Sequence, residues 1–394
     1  MLERLYGLLS GLAVAALLSL PGHAAAQQDE LRASLVTIDP GALYWARFGH
    51  NALLLEQPAT GLRVLYNFGL FDFEAENFLV NFVRGRMTYE LGASRPGPEF
   101  DYYESIGRTV HIQQLNLSPT QLDRLAAHLE WHRTPPHDTY LYDYYLNNCS
   151  TKVRDALDLA VDGQLAEHFS ALPAAEGNFR DHTRRLTSPV AWLYLGTQLG
   201  LGRPVDREIS RWEEFFIPMT MMRALEDVEI SWEDGSRHRL VARTTRLAPA
   251  GPIPIPASAP RWWPAFLLAG LLLACGLGAV DRGRQGSPAT LTWWTFSGLI
   301  GLGLAFLWGF TDHGAAYRNE NLLLFCPIAL LALFKPGNLA WLRGVALILA
   351  ASGAVALLLK FLPGVVQYNY EWLALALPVH LTAAGLLWQR RDTG

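Results

Sequence analysis

The chain has 394 residues, 51% of them hydrophobic, with 32 Lys and Arg against 36 Asp and Glu for a formal net charge of −4. That length suggests two to three domains, and the charge is too small to imply a charged polymer partner. No repeat, Walker loop, Rossmann fingerprint, zinc-ligand spacing or basic nucleic-acid stripe is present, so no metal or cofactor is expected and nucleic acid is excluded as a partner.

The first 26 residues read as a secretory signal. Leu5 to Leu20 is an apolar core, Pro21-Gly22 breaks it, and Ala24-Ala25-Ala26 is a small-residue cleavage site before Gln27. The core is short for a membrane span, although an uncleaved anchor is the alternative. Residues 27–246 carry most of the charge and read as a mixed α+β soluble domain. Leu53 to Glu56 and Leu62 to Phe68 are short strands around a Pro58/Gly61 turn. Residues 74–84 place Phe78, Leu79, Phe82 and Val83 at helical spacing. Thr109 to Leu117 alternates like a strand. Ser118-Pro119-Thr120-Gln121 is a capping box that starts a helix running to about His132. Another helix starts at Cys149. Asp234-Gly235 joins Val228–Glu233 to Arg237–Thr244 as a hairpin.

Composition changes near Leu247. Residues 247–260 form a proline-rich spacer that favours extended polyproline geometry. Five apolar runs follow, at about 262–280, 291–310, 321–334, 339–361 and 371–389, and read as membrane helices. The third is short and interrupted by Pro327. Arg282 and Arg284, then Lys335 and Arg343, then Arg390 and Arg391 fall on one side, which puts residues 281–290, 335–340 and the C-terminus in the cytoplasm. The soluble domain is then outside, as the export signal also requires. The expected location is the bacterial inner membrane, with the soluble domain in the periplasm.

Three cysteines are present, and Cys275 and Cys326 lie inside apolar runs. Cys149 sits in a polar stretch, Asn147-Asn148-Cys149-Ser150-Thr151, at a helix start, where the backbone dipole favours a thiolate. Structural cysteines of exported proteins usually come in pairs, and Cys149 has no partner outside the membrane runs. About a hundred residues upstream, His50 opens an apolar strand after Gly49. A thiol and a distant histidine are the minimum for nucleophilic catalysis by a thiolate. His111, His132 and His137 are rivals for the base. Asn67, on the next strand, is the candidate to orient His50, with Asp72 as the alternative. Tyr44, Tyr142, Tyr144 and Tyr145 are candidates for the walls of a cleft. Arg84 and Arg86 have the chemistry to hold an anionic headgroup or a carboxylate. The polar stretch 311–320, with His313 and nearby Asn321, is expected on the side of Cys149, as an active-site floor or lipid entrance.

Several blocks of the chain resemble the family of the Lnb N-terminal periplasmic domain. They are Tyr44-x-x-x-Phe48-Gly49-His50-Asn51, Tyr66-Asn67-Phe68-Gly69-x-Phe71-Asp72-Phe73, Phe82-x-x-Gly85-x-x-x-Tyr89 and Asn148-Cys149-x-x-x-x-Arg154-Asp155. Gly202-Arg203-Pro204-x-Asp206, Trp212-Glu213-Glu214-Phe215-Phe216-x-Pro218, Phe310-Thr311-Asp312-His313 and Asn319-x-Asn321-Leu322-Leu323 extend the resemblance over nearly all of the mature chain. It implies a lipoprotein intramolecular transacylase activity, with a membrane lipid or lipoprotein as the partner. The histidine-then-cysteine order is also similar to circularly permuted papain-like enzymes, such as NlpC-type cell-wall peptidases. The leading expectation is thus a permuted papain-like domain followed by five membrane helices, acting as a cysteine acyltransferase on lipid esters. A cell-wall peptidase or amidase, and a non-enzymatic envelope assembly module, are the alternatives.

Overall fold

The computed structural model describes residues 31–72, 74, 76–247, 253, 255–282, 287–364 and 366–390. The expected export signal, most of the proline-rich spacer, Arg284 and Arg391 lie outside the described residues. The chain divides into two compact units. The first holds residues up to Leu79, Arg86–Ala175 and Ile209–Pro254; the second holds Val80–Gly85, Glu176–Glu208 and the chain from Ile255 onward.

The first unit is built on a seven-stranded antiparallel sheet of β1 (Arg32–Ile38), β2 (His50–Gln57), β3 (Leu62–Leu70), β4 (Thr88–Ser94), β5 (Val110–Leu115), β6 (Thr139–Leu141) and β9 (Val241–Leu247). Their spatial order is β6-β4-β3-β2-β1-β5-β9. Central β2 is buried from Asn51 to Leu55. A strand covered on both faces reads as a continuous apolar run, which is why Ala52-Leu53-Leu54-Leu55 shows no alternation. On one face Leu35, Leu53, Tyr66 and Phe68 pack against Leu122, Leu125, Val153 and Leu157 from the helices Pro119–Trp131 and Cys149–Ala160. On the other, Val36, Ile38, Leu54 and Leu65 pack with Phe100 of the helix Pro96–Ser105. Each buried Val, Leu or Phe contributes roughly 1.5–3 kcal/mol relative to exposure. The core therefore anchors the Cys149 helix through Val153, Ala156, Leu157 and Ala160.

The capping box forms as expected: the Gln121 N–H donates to Ser118 Oγ at 3.1 Å, and the Ser118 N–H donates to Gln121 Oε1 at 3.0 Å. The β2–β3 hairpin also forms, with Leu53 opposite Tyr66. Two local expectations change. The hairpin at Asp234-Gly235 is short, pairing β7 (Glu229–Ser231) only with β8 (Arg237–Arg239). Leu240 then turns inward, its N–H on the Val228 carbonyl and its carbonyl receiving the Asn116 N–H, and Val241–Leu247 leaves to pair with β5. The longer pairing with an existing sheet edge wins over extension of an isolated two-stranded ribbon. In the 74–84 stretch the helix covers only Phe78–Arg84 and buries none of its side chains. Its apolar spacing is real, but Leu79, Val80, Phe82 and Val83 remain exposed.

Among its described residues the second unit contains four helices long and apolar enough to cross a membrane: Trp263–Asp281, Pro288–Phe310, Leu339–Phe361 and Tyr370–Gln389. The third apolar run is interrupted at Pro327, as its sequence indicates: a single turn at Asn321–Leu324 is followed by tighter helical turns over Pro327–Phe334. Pro327 has no N–H to continue the helix. The Glu176–Glu208 segment belongs to this unit through buried polar contacts. Arg180 is fully buried and holds Asp206 through two bonds, Nε to Oδ1 at 2.6 Å and Nη2 to Oδ2 at 3.0 Å. Nη2 also reaches the carbonyls of Leu201 and Gly202 at 2.9 and 3.1 Å, and Nη1 reaches Gln198 Oε1 at 3.3 Å. Arg184 pairs with Glu371 at 2.8 Å, and the Tyr194 hydroxyl donates to the same carboxylate at 3.1 Å. Buried charges persist only when paired and hydrogen-bonded to this extent.

Candidate active site

Gly49 begins the construction. Its φ of +86° is a left-handed conformation that favours glycine, and a Cβ there would lie 2.9 Å from the Ile38 carbonyl oxygen. The turn delivers His50 to the first position of β2, beside β3. There His50 Nε2 lies 2.9 Å from Asn67 Oδ1. Asn67 Nδ2 donates to Glu99 Oε2 at 3.2 Å, and the Ser94 hydroxyl donates to the same oxygen at 2.6 Å. A carboxylate oxygen only accepts here, so the amide NH2 of Asn67 must face it and Oδ1 must face the ring. His50 then carries its proton on Nε2, which leaves Nδ1 for the sulfur.

Cys149 arrives from the other side of the core. Asn148 caps its helix, with Oδ1 accepting the N–H groups of Ser150 and Thr151, each at 2.9 Å. Thr151 Oγ1 accepts the Asn148 N–H at 2.8 Å. Asn148 Nδ2 donates to the carbonyls of Tyr144 and Phe216, both at 3.0 Å. The cysteine is the first helical residue, with its own N–H left outside the cap. A buried chain of side chains locks this helix start to the sheet: Thr37 Oγ1 donates to Asn51 Oδ1 at 2.8 Å, Asn51 Nδ2 to Ser150 Oγ at 3.0 Å, and Ser150 Oγ to the Phe215 carbonyl at 2.5 Å.

The result is a hydrogen bond between the side chains of Cys149 and His50. Burial opposes the thiolate, but the neighbouring imidazolium and the backbone N–H groups of Asn51 and Ser150 hold the thiol below its ordinary pKa. Burial likewise opposes the imidazolium, but the sulfur, Asn67 and then Glu99 hold His50 above its ordinary value. Both directions favour a thiolate–imidazolium pair, the reactive form of a cysteine nucleophile.

The rival histidines are engaged elsewhere. His111 Nε2 pairs with Asp39 at 2.9 Å, His132 contacts the His137 carbonyl at 3.2 Å, and His137 stacks on Trp131 at 4.0 Å. Asp72 receives the Glu74 N–H at 2.8 Å in a local turn. Of the aromatic residues, Tyr142 lies beside the sulfur, where burial and the Cys149 charge raise its pKa, and its ring centroid is 4.4 Å from that of Tyr89. Tyr144 donates to Met87 Sδ at 3.4 Å, while Tyr145 is core, edge-on to Phe216. Tyr44 is exposed and edge-on to Trp45.

Arg86 is an exposed residue of the first unit, whereas Arg84, also exposed, ends the short helix in the second. There the Arg84 carbonyl receives the Asp312 N–H at 2.7 Å, and His313 Nε2 sits 3.1 Å from the Phe82 carbonyl. Asn321 is fully buried in the second unit. Its Nδ2 bonds the Gln198 and Leu199 carbonyls at 3.3 and 2.9 Å, and its Oδ1 accepts from Asn369 at 2.7 Å. These bonds use its amide to tie the Glu176–Glu208 segment to the apolar helices. Among the described residues no group of three or more His, Cys, Asp or Glu side chains is placed to hold a metal ion.

The residues that sequence reasoning passed over are Glu99, Asn51 and Ser150. Glu99 sits in the first turn of a helix opened by Pro96, where an acidic residue is commonplace, so nothing local singles it out. Its value comes from the β3–β4 pairing, which sets Ser94 opposite Leu65, two residues from Asn67. Glu99→Gln removes the charge that helps hold the His50 proton. The alkaline limb of the pH profile of Cys149 acylation is expected to move to lower pH, with thermal stability within about 1 kcal/mol of the parent. A limb at the same pH in the variant and the parent contradicts this role for Glu99.

Models of two protein families match the chain: the Lnb N-terminal periplasmic domain over residues 23–187, and the Lnb transmembrane domain over residues 260–392. No curated protein and no solved structure matches it.

Proposed function

Because this chain belongs to the Lnb family, through both its periplasmic and its transmembrane domain, we propose that it is a cysteine acyltransferase of the bacterial inner membrane that acts on lipid esters, with the diacylglyceryl-modified N-terminus of a lipoprotein as substrate. It is a membrane protein with a periplasmic domain. The single observation that carries the activity is the Cys149–His50–Asn67 arrangement, in which both pKa shifts favour the ion pair. The same chain carries apolar helices of membrane length, which suits a substrate whose acyl chains lie in the bilayer.

In this mechanism the Cys149 thiolate attacks an ester carbonyl of the glyceryl lipid, and the carbonyl electron pair moves onto oxygen. Collapse expels the glyceryl oxygen, which takes the proton from His50 Nδ1 and leaves an acyl thioester. The free α-amine of the lipidated cysteine then attacks the thioester. Neutral His50 accepts the amine proton, and the thiolate departs to restore the starting pair. Asn67 keeps the ring in one tautomer through both steps. The N–H of Cys149 faces the developing oxyanion from the helix start. Residues 27–246 serve as the catalytic domain in this reading, and 261–394 as its membrane domain.

Moving an acyl group from glyceryl oxygen to the N-terminal nitrogen leaves the lipopeptide mass unchanged. The test is therefore fragmentation mass spectrometry of lipoprotein N-termini from cells with and without this protein. The expected result is an N-acyl, mono-O-acyl N-terminus only when the protein is present. N-termini that stay free amines in both strains would overturn the assignment.

A further inference from the structure

Tyr140 contributes a hydroxyl that the resting structure leaves without a partner. Its Oη is buried and makes no hydrogen bond. The residue lies on β6, opposite Tyr89 of β4, at the edge of the sheet nearest the site. Its ring is held between Phe68, edge-on at 6.2 Å, and the Lys152 ammonium, 4.8 Å from the ring centroid. A buried hydroxyl without a partner costs roughly 1–3 kcal/mol, so its position calls for an explanation.

Gly69 supplies the second observation. Its φ is +99°, and a Cβ built on it would lie 3.5 Å from Cys149 Cβ and 3.9 Å from Tyr140 Oη, with the Tyr142 ring at 4.0 Å. The nucleophile and the unpartnered hydroxyl thus border one small space, kept open because residue 69 has no side chain. We infer that Tyr140 is a catalytic residue whose hydroxyl donates to the oxyanion formed when Cys149 attacks an ester, opposite the N–H of Cys149. Burial, the Cys149 charge and Tyr89 all raise the pKa of this phenol, so it remains a donor throughout the range in which the thiolate forms. A donor preorganised for charge that exists only in the transition state is idle at rest, as this one is.

The inference rests on the proposed thiolate chemistry but not on the identity of the natural lipid, and the experiment separates the two. The full-length protein in detergent is treated with 4-nitrophenyl hexanoate, and acylation of Cys149 is followed by intact-protein mass spectrometry. Cys149 alkylation by iodoacetamide and thermal unfolding are measured alongside. Tyr140→Phe is expected to slow acylation by about 10²–10³-fold, to alkylate within about twofold of the parent, and to unfold no earlier, since the hydroxyl it loses had no partner. Acylation at the parental rate overturns the inference. Equal loss of alkylation and acylation also overturns it, because Tyr140 would then act on the thiolate rather than on the oxyanion. Parent protein that is not acylated at Cys149 overturns both the inference and the thioester mechanism. Normal acylation that depends on Tyr140, with lipoprotein N-termini unaltered in cells, supports the inference and removes only the lipoprotein substrate.

Discussion

Cys149→Ser is expected to abolish acyl transfer while the protein still folds and inserts. Loss of the nucleophile in a cysteine–histidine site lowers the rate by roughly 10⁴-fold or more, because a hydroxyl in a site built to stabilise a thiolate stays protonated. The sulfur is half-buried at the first helical position, where the cap bonds come from Asn148 and Thr151 rather than from Cys149 itself. Replacing sulfur by oxygen disturbs none of them, so stability should change by no more than about 1 kcal/mol. The lipopeptide assay and thermal unfolding check the two halves separately. Transfer retained within a few-fold would remove the thioester intermediate. A collapse in stability would instead make Cys149 a packing residue.

The second large effect falls on His50. In the parent, the rate of Cys149 alkylation should rise with pH through a midpoint below the ordinary thiol value of about 8.5. In His50→Ala the imidazolium is gone and burial remains, so the midpoint should move upward. Acyl transfer adds a second limb. As pH falls through the lowered thiol pKa the nucleophile is protonated, and as pH rises through the raised His50 pKa the acid that protonates the leaving oxygen is lost. The expected profile is a bell whose limbs belong to the pair rather than to either residue. Peptide mapping separates Cys149 from Cys275 and Cys326. An unchanged alkylation midpoint in His50→Ala would mean that the two side chains do not form an ion pair.

Some of this protein was determined by its sequence alone, because the signals are local or periodic. Apolar runs of membrane length, the capping box at Ser118, the strands of the β2–β3 hairpin and the polar setting of Cys149 at a helix start all depend on residues within a few positions of one another. The order of histidine, then amide, then cysteine is read directly from the chain as well, although the three lie far apart along it. Tertiary structure decided what depends on distant strands meeting. Glu99 reaches Asn67 only because β3 pairs with β4. Asn51 and Ser150, 99 residues apart, bond only because β2 packs beneath the Cys149 helix.

The blocks around Gly202, Asp206, Asp312 and Asn321 show the same limit. The stretch 311–320 with Asn321 reads as a polar loop suited to a lipid entrance, and Gly202 and Asp206 only as part of a family block; Gly202, Asp206 and Asn321 also serve as joints within the second unit. Gly202 has no room for a side chain, since a Cβ would meet the Tyr317 carbonyl oxygen at 1.9 Å. Asp206 neutralises buried Arg180, and Asn321 carries the carbonyls of Gln198 and Leu199. The third apolar run is interrupted at Pro327, where the missing N–H is visible in the sequence. The tight turns that take its place depend on packing partners that are not: Gly301 of the neighbouring helix leaves space for the Phe325 carbonyl, and Gly298 for Leu330. A buried polar group identifies itself by its residue type, but its partner is chosen by the fold, because the cost of leaving it unpaired is met wherever the chain first brings a complementary group within 3 Å.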